Sequence, residues 1–467
     1  MGSIDGLVDD GGVMITADIG STAAAVNHYG TTSTKTTKTA AVEYGMGLSP
    51  LLVQAEPDVP PKITPQPAPS AKAHSEDDIE ASGCDSRGID GESLTDPPPD
   101  SKPWIVTPLI ESKALSKAAG CRILLKLDLL QPSGSFKLRG ISTYILHHLK
   151  NHPRPHLSHF YCASGGNAGL ACVVAATTLG RPATIVTPTT TSPRMLRRLR
   201  DAGAAAIIVH GDTLAASERF IRDVLLGQGG QGERDGVFVP PFDDALIWTG
   251  NSSIIDELAD QMPLDRQPDA IVCSVGGGGL LAGLLQGIRR RCSPSAPATA
   301  SSRHPWSPRA TTVVAAETEG AASLAAALHA GRPVTLAGIS SQARSLGCVR
   351  VAQGAYDEVM GSVATTTAQQ QAAAEGPTIP SSPVKSVVLS DADAARGCVV
   401  LADEDRLMVE LACGVSVAVC LDGRLPKALG RDVTPDMTVV IVVCGGCDVD
   451  VGRLAEWRQT CGGLVGV

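Results

Sequence analysis

The segment Ala270-Ile271-Val272-Cys273-Ser274-Val275-Gly276-Gly277-Gly278-Gly279-Leu280-Leu281-Ala282-Gly283 joins two apolar runs through four consecutive glycines. The first run, Ala270–Val275, reads as a strand buried on both faces, and the second as a buried helix. Four glycines in a row are costly in folding entropy. They make sense where successive backbone N–H groups must wrap a phosphate at a helix start. No Lys-Ser/Thr follows, so the turn is not a Walker loop, and its spacing is not the dinucleotide fingerprint. A flexible linker does not fit between two structured apolar flanks. This reading makes the segment a phosphate cradle on an α/β scaffold.

The same strand–turn–helix logic recurs outward from it. β-rich runs fall at Arg122–Leu127, Thr184–Val186, Ala206–Val209, Val237–Val239, Thr312–Ala316 and Thr438–Val443. Helical stretches separate many of them: Asn167–Leu179 stopped by Gly180, Arg194–Asp201 opened by Ser192-Pro193, and Ser217–Leu226. Continuously apolar strands alternating with helices predict open, mostly parallel sheets covered by helices. Ligands bind such sheets at the carboxyl ends of the strands, where the glycine-rich turns sit.

Three further turns carry chemistry. Gln131-Pro132-Ser133-Gly134-Ser135-Phe136-Lys137-Leu138-Arg139-Gly140 places a lysine near a helix start, where the dipole disfavours its ammonium form. A neutral amine is what an imine-forming lysine needs; the bland alternative is a solvated surface lysine. Ala163-Ser164-Gly165-Gly166-Asn167-Ala168-Gly169-Leu170 offers N–H groups and two polar side chains at a second helix start, suited to a carboxylate. An ordinary helix cap is its plain alternative. Val442-Val443-Cys444-Gly445-Gly446-Cys447-Asp448 has Cys-x-x-Cys spacing, but no second such pair or paired histidines would complete a zinc site.

The 467 residues carry 39 basic and 48 acidic side chains, a formal charge of -9 without a dense basic face. That argues against nucleic acid as a partner. Aromatics make up only 3%, so aliphatic residues must supply the core. Of the 13 scattered cysteines, Cys121, Cys172, Cys273, Cys413 and Cys420 lie in apolar runs and read as buried small hydrophobes of a reducing compartment. No stretch of about 20 apolar residues offers a membrane span. Met1-Gly2-Ser3-Ile4-Asp5 has neither a secretory nor an organellar pattern, so a cytoplasmic protein is expected. Residues 1–100 are rich in Thr, Ser, Pro, Gly and Ala and read as a low-complexity, disordered extension. Two stretches near 292–310 and 365–382 have the same character and read as loop insertions.

Together, the four turns resemble those of the serine/threonine dehydratase family of fold-type II pyridoxal-phosphate enzymes, from about Trp104 to about Gly452. Supporting segments are Thr107-Pro108-Leu109, Ala316-Glu317-Thr318-Glu319-Gly320-Ala321, Ala343-Arg344-Ser345-Leu346-Gly347 and Glu410-Leu411-Ala412-Cys413-Gly414. The catabolic L-serine dehydratases are the most similar branch. The resemblance implies a tryptophan synthase β-like fold with the cofactor in a cleft. A small subdomain of about 134–243 would face a large one built from 101–133 and 244–467.

Position by position, the resemblance implies that Lys137 holds the cofactor and acts as base, with Phe136 beneath the ring. Gly276, Gly277, Gly278, Gly279 and Leu280 would hold the phosphate. Asn167 would meet the ring hydroxyl, and Cys444 the ring nitrogen. Ser164, Gly165 and Ala168 would take the substrate carboxylate, Ser164 counting as catalytic. A monovalent cation, such as K+, is implied at Gly276, Glu317, Ala321, Leu346 and Cys348. The implied reaction is water elimination from L-serine, and from L-threonine, giving a 2-oxo acid and ammonia. A cytoplasmic homodimer in amino-acid metabolism and gluconeogenesis is implied too.

Three residues at two sites depart from the family pattern. Cys447 and Asp448 stand where Ser or Asn is frequent, and Ser345 where a small apolar residue is common. Both bear on substrate preference rather than on cofactor binding. β-Replacement, racemisation and threonine synthesis share the cofactor and fold, and a non-catalytic relative is the remaining alternative; fold analogy alone does not separate them.

Overall fold

The computed structural model describes residues 102–227, 235–263, 266–292, 306–307, 311–361 and 383–461. In chain order the strands are β1 (Leu109–Glu111), β2 (Arg122–Lys126), β3 (Ser158–Ala163), β4 (Ala183–Thr187) and β5 (Ala206–Val209). They continue with β6 (Asp235–Phe238), β7 (Ala270–Ser274), β8 (Thr312–Thr318), β9 (Val384–Leu389) and β10 (Thr438–Val442). A six-stranded sheet has the order β1-β2-β10-β7-β8-β9, and a four-stranded sheet the order β5-β4-β3-β6. Only β1 pairs antiparallel, with β2; the other pairings are parallel. Every residue of β4, β7 and β10 is buried. Helices cover both faces of such sheets, which is why these strands read as apolar throughout.

The structure has the α/β architecture expected of fold-type II enzymes, and the strands differ from the sequence reading by one or two residues at their ends. Three strands lie outside the runs read as β-rich, the edge elements β1 and β9 and the central β3. The helix expected over Ser217–Leu226 instead starts at Leu214, because the Thr213 hydroxyl accepts from the Ala216 N–H and caps it. Its last turns widen into a π-helix over Ile221–Leu226. The extension at 1–100 and the insertion near 365–382 lie outside the described residues, as does most of the one near 292–310.

One hydrophobic core surrounds the six-stranded sheet, through Ile123, Leu125, Val272, Val314 and Val440. A second joins the helices Lys137–Asn151 and Asn167–Thr178 to the four-stranded sheet. The helix Lys137–Asn151 is seated closely on Ala245–Asn251: a Cβ on Gly250 would lie 2.7 Å from the Gly140 Cα. This contact fixes the helix whose first residue is Lys137. Cys121, Cys172, Cys273, Cys413 and Cys420 are buried free thiols. Among the described residues no helix is long and apolar enough to cross a membrane.

Candidate active site

Strand order explains why four separate turns meet. β2, β10 and β7 are neighbours in the large sheet, and the chain leaves their carboxyl ends into the Lys137, Cys444 and tetraglycine turns. The Ser164 turn leaves β3, a central strand of the smaller sheet. All four line one cavity of about 310 Å³.

The Lys137 and Cys444 turns are joined by backbone. Phe136 N–H donates to Cys444 O at 3.1 Å, Gly446 N–H to Gly134 O at 3.0 Å, and Ser135 bridges Gly445. Gly134 has φ +75°, and a Cβ there would lie 2.5 Å from the Cys447 sulfur. Only glycine satisfies both the dihedral and the contact. Cys447 Sγ–H donates to Ser133 O at 3.4 Å, whereas Cys444 Sγ–H donates to Val442 O at 3.4 Å. The Cys-x-x-Cys pair therefore forms no disulfide, and no cluster of three or more His, Cys, Asp or Glu suited to a metal occurs among the described residues.

Lys137 Nζ donates to Pro241 O at 2.8 Å, with the Phe136 and Phe242 ring centroids 5.4 and 5.7 Å away. The side chain is half-buried, open to the cavity and enclosed by protein elsewhere. Loss of hydration pushes its pKa down from 10.5 to about 8, against smaller upward pulls from Cys348, Cys162 and Cys444. The sequence reading credited the helix dipole; the depressing cause found here is burial.

Phe242 also shapes the tetraglycine turn. A Cβ on Gly277 would lie 2.3 Å from its ring, and one on Gly279 would lie 2.6 Å from its carbonyl oxygen. Gly278, at φ +90°, leaves room for only a hydrogen beside Ala355. Side chains here would collide with Phe242 and Ala355, and the turn leads into the helix Gly279–Cys292, whose first N–H groups lack intrahelical acceptors. On the opposite wall, Ser164 Oγ accepts from Gly166 N–H at 3.2 Å. A Cβ on Gly165 would lie within 2.5 Å of the Thr187 and Thr191 hydroxyls. Asn167 opens its helix with Oδ1 accepting from Cys447 N–H at 3.1 Å. Cys444 packs beside Ser274, with 3.3 Å between Sγ and Oγ.

Sequence reasoning gave no role to Glu410, Phe242, Thr187, Thr191 or, as a polar group in the site, Ser345. Glu410 is buried in the cavity wall and accepts from Asn167, Ser345 and Asp448 N–H. Its one sequence signal is a lone carboxylate within an apolar run.

The expected cation residues are only partly assembled. Gly276 lies against Leu346, with an ideal Cβ position 3.2 Å from the Leu346 carbonyl oxygen. Cys348 and Leu346 line the main cavity together. The Glu317 carboxylate instead accepts from Leu324 N–H and Ala325 N–H, both at 2.8 Å. Burial, opposed by these two bonds, pushes its pKa up to about 8. Ala321 is fully buried in the turn after β8.

Residues 101–445 match the family described as pyridoxal-phosphate dependent enzyme. The chain belongs to this family. A Bos taurus relative named L-serine dehydratase/L-threonine deaminase is 37% identical over 361 residues, covering 76% of this chain and 95% of the relative. An L-serine dehydratase of Saccharomyces cerevisiae is 33% identical over 351 residues, 73% of this chain and 92% of the relative. The solved structure of a fungal L-serine ammonia-lyase from Rhizomucor miehei superposes with TM-score 0.63 at 30% identity, over 77% of this chain and 99% of that one.

The cavity of this pyridoxal-phosphate enzyme fits its cofactor. It presents an amine of lowered pKa to an aldehyde, a glycine turn to a phosphate, and an amide and a thiol to a ring. Since only the neutral amine attacks, covalent uptake of pyridoxal phosphate by cofactor-stripped protein should accelerate about tenfold per pH unit below about 8 and level off above it. Stopped-flow absorbance reads this rate. A midpoint near the ordinary 10.5 would show that the pocket does not depress the Lys137 pKa.

Proposed function

We propose that the protein is an L-serine ammonia-lyase that also accepts L-threonine, and releases pyruvate or 2-oxobutanoate with ammonia. The observation that carries this reading is the lowered-pKa amine of Lys137 at the meeting point of the four turns. The names of the relatives support the substrate class.

Bound pyridoxal phosphate supplies a ring that withdraws electrons from the substrate Cα. Gly276, Gly277, Gly278, Gly279 and Leu280 would hold its phosphate through N–H groups, Phe136 would support its ring, and Asn167 would receive its ring hydroxyl. Ser164, Gly165 and Ala168 take the substrate carboxylate at the second helix start. Lys137 would take the Cα proton and, as an ammonium, return a proton to the departing β-hydroxyl, which leaves as water. Cys444 would offer the ring nitrogen a thiol and no carboxylate. The released enamine takes up water and gives the 2-oxo acid and ammonia.

A monovalent cation near Gly276, Glu317, Ala321, Leu346 and Cys348 completes the reading. It is supported by a buried Glu317 for which no salt-bridge partner occurs among the described residues. Residues 134–243 are assigned as the small subdomain because they contain all four strands of the smaller sheet. The free thiols support a cytoplasmic place in amino-acid breakdown and gluconeogenesis. The family resemblance supports a homodimer.

The test is full-length protein with L-serine, L-threonine and D-serine, in potassium and in a bulky organic ammonium salt. Equal amounts of 2-oxo acid and ammonia from L-serine are expected, with turnover falling several-fold without potassium. Accumulation of D-serine from L-serine with no 2-oxo acid would replace elimination by racemisation.

A further inference from the structure

The Asn167 amide is held from both edges. Its Oδ1 accepts from Cys447 N–H at 3.1 Å, while Nδ2 lies 3.2 and 3.3 Å from the two Glu410 oxygens and 3.3 Å from Ser345 Oγ. Glu410 is itself clamped. Its Oε1 accepts from Asp448 N–H at 2.7 Å, and its Oε2 from the Ser345 hydroxyl. Gly446, at φ +112°, presses on it so closely that a Cβ would lie 2.2 Å from the carboxylate carbon.

An asparagine amide has two orientations that fill the same space but exchange donor and acceptor. With an N–H donor on one edge and a carboxylate on the other, only one satisfies both partners. We infer that Glu410 is a positioning residue: its carboxylate fixes the Asn167 amide with its NH2 edge toward Glu410 and Ser345, and so sets how the cofactor's ring hydroxyl is received. The inference rests on the proposed role of Asn167.

Ser345 has a defined part in this arrangement. Its proton goes to Glu410, so its lone pairs face the Asn167 amide as a second acceptor. A hydroxyl thus replaces the small apolar residue without presenting a competing donor to Asn167. Removing it leaves the carboxylate in place.

Glu410→Gln separates positioning from packing. Glutamine keeps the shape of glutamate but puts an NH2 group on one edge. In the Oε1 place that group meets the Asp448 N–H and ends that bond; in the Oε2 place it meets the Ser345 hydroxyl. Either way one of the two acceptors facing the Asn167 NH2 becomes a donor, which favours the turned amide and loss of the Cys447 bond. The expected result is about tenfold weaker uptake of pyridoxal phosphate by stripped protein, and a displaced absorption band of the bound cofactor. Ser345→Ala should cost less than about threefold by the same measure. In an Asn167→Ala background, Glu410→Gln should add almost nothing.

Wild-type affinity and spectrum in Glu410→Gln, or full additivity with Asn167→Ala, would overturn the inference. If Glu410→Gln fails to fold, the pair Asn167→Asp with Glu410→Gln, which exchanges donor and acceptor, should restore the melting temperature. No restoration would also overturn it. Wild-type protein that takes up no cofactor would overturn the functional reading first, whereas wild-type uptake with an unaltered variant removes only this inference.

Discussion

Lys137→Ala is expected to lower 2-oxo acid formation from L-serine by more than about 10⁴-fold, because one change removes both the covalent attachment point and the base at Cα. The fold should survive. The amine's hydrogen bond is to the Pro241 carbonyl, and alanine is a good helix former at the first position of Lys137–Asn151. Borohydride reduction of the holoenzyme should label Lys137 in wild type, and mass mapping should find no label in the variant. The melting temperature of the stripped variant should match that of stripped wild type. A label at another lysine, with turnover retained, would end the assignment.

Lys126 is the instructive comparison. It too is buried, and burial lowers its pKa. Yet its Nζ is 2.5 Å from Glu257, 2.7 Å from Thr107 O and 2.8 Å from Gln261. Its donors are committed to structure, and it does not line the cavity. A lowered pKa alone does not identify a reactive lysine; access to a shaped cavity does.

The same contrast explains what the sequence revealed. Lys137, the tetraglycine turn and the Ser164 turn were legible because each is a short contiguous segment whose residue types are forced by backbone approach or helix starts. The buried strands β4, β7 and β10 were legible because parallel pairing leaves no polar face. β1 was missed because it has three residues with only partial burial, and β9 because it follows a low-complexity stretch that hides its start. Phe242 and Glu410 were missed for another reason. Each reaches the cavity from a segment whose local pattern is ordinary, and only the meeting of distant strand ends gives it a role. The dipole argument for Lys137 gave the right direction of pKa shift but not the burial behind it, because enclosure by Phe136, Pro241 and Phe242 is a tertiary property.

Arg139→Met is expected to lower unfolding free energy by about 3–5 kcal/mol, a cost of the kind found when one member of a buried ion cluster is removed. Arg139 is fully buried, two residues beyond Lys137. Its Nε and one terminal nitrogen reach Asp128 at 2.7 and 2.8 Å, and both terminal nitrogens reach Glu257, at 2.5 and 2.8 Å. Burial opposes the guanidinium charge, but Asp128 and Glu257 outweigh it and raise its pKa. Methionine fills much of the volume and leaves two buried carboxylates facing one remaining cation, Lys126, which pairs with Glu257. Asp128 is then left with the Thr107 hydroxyl, which donates to it at 2.8 Å. Protonation relieves an orphaned buried carboxylate, whose folded pKa would lie above its unfolded value. The stability deficit should therefore be smaller at pH 5 than at pH 8, the reverse of a carboxylate stabilised as an anion. Urea unfolding of stripped protein at the two pH values reads both effects. A deficit below about 1 kcal/mol at pH 8 would mean that the cluster does not anchor this helix. Because the helix also carries Lys137, the surviving folded fraction should take up pyridoxal phosphate more slowly, whereas Lys137→Ala removes covalent uptake and leaves stability intact.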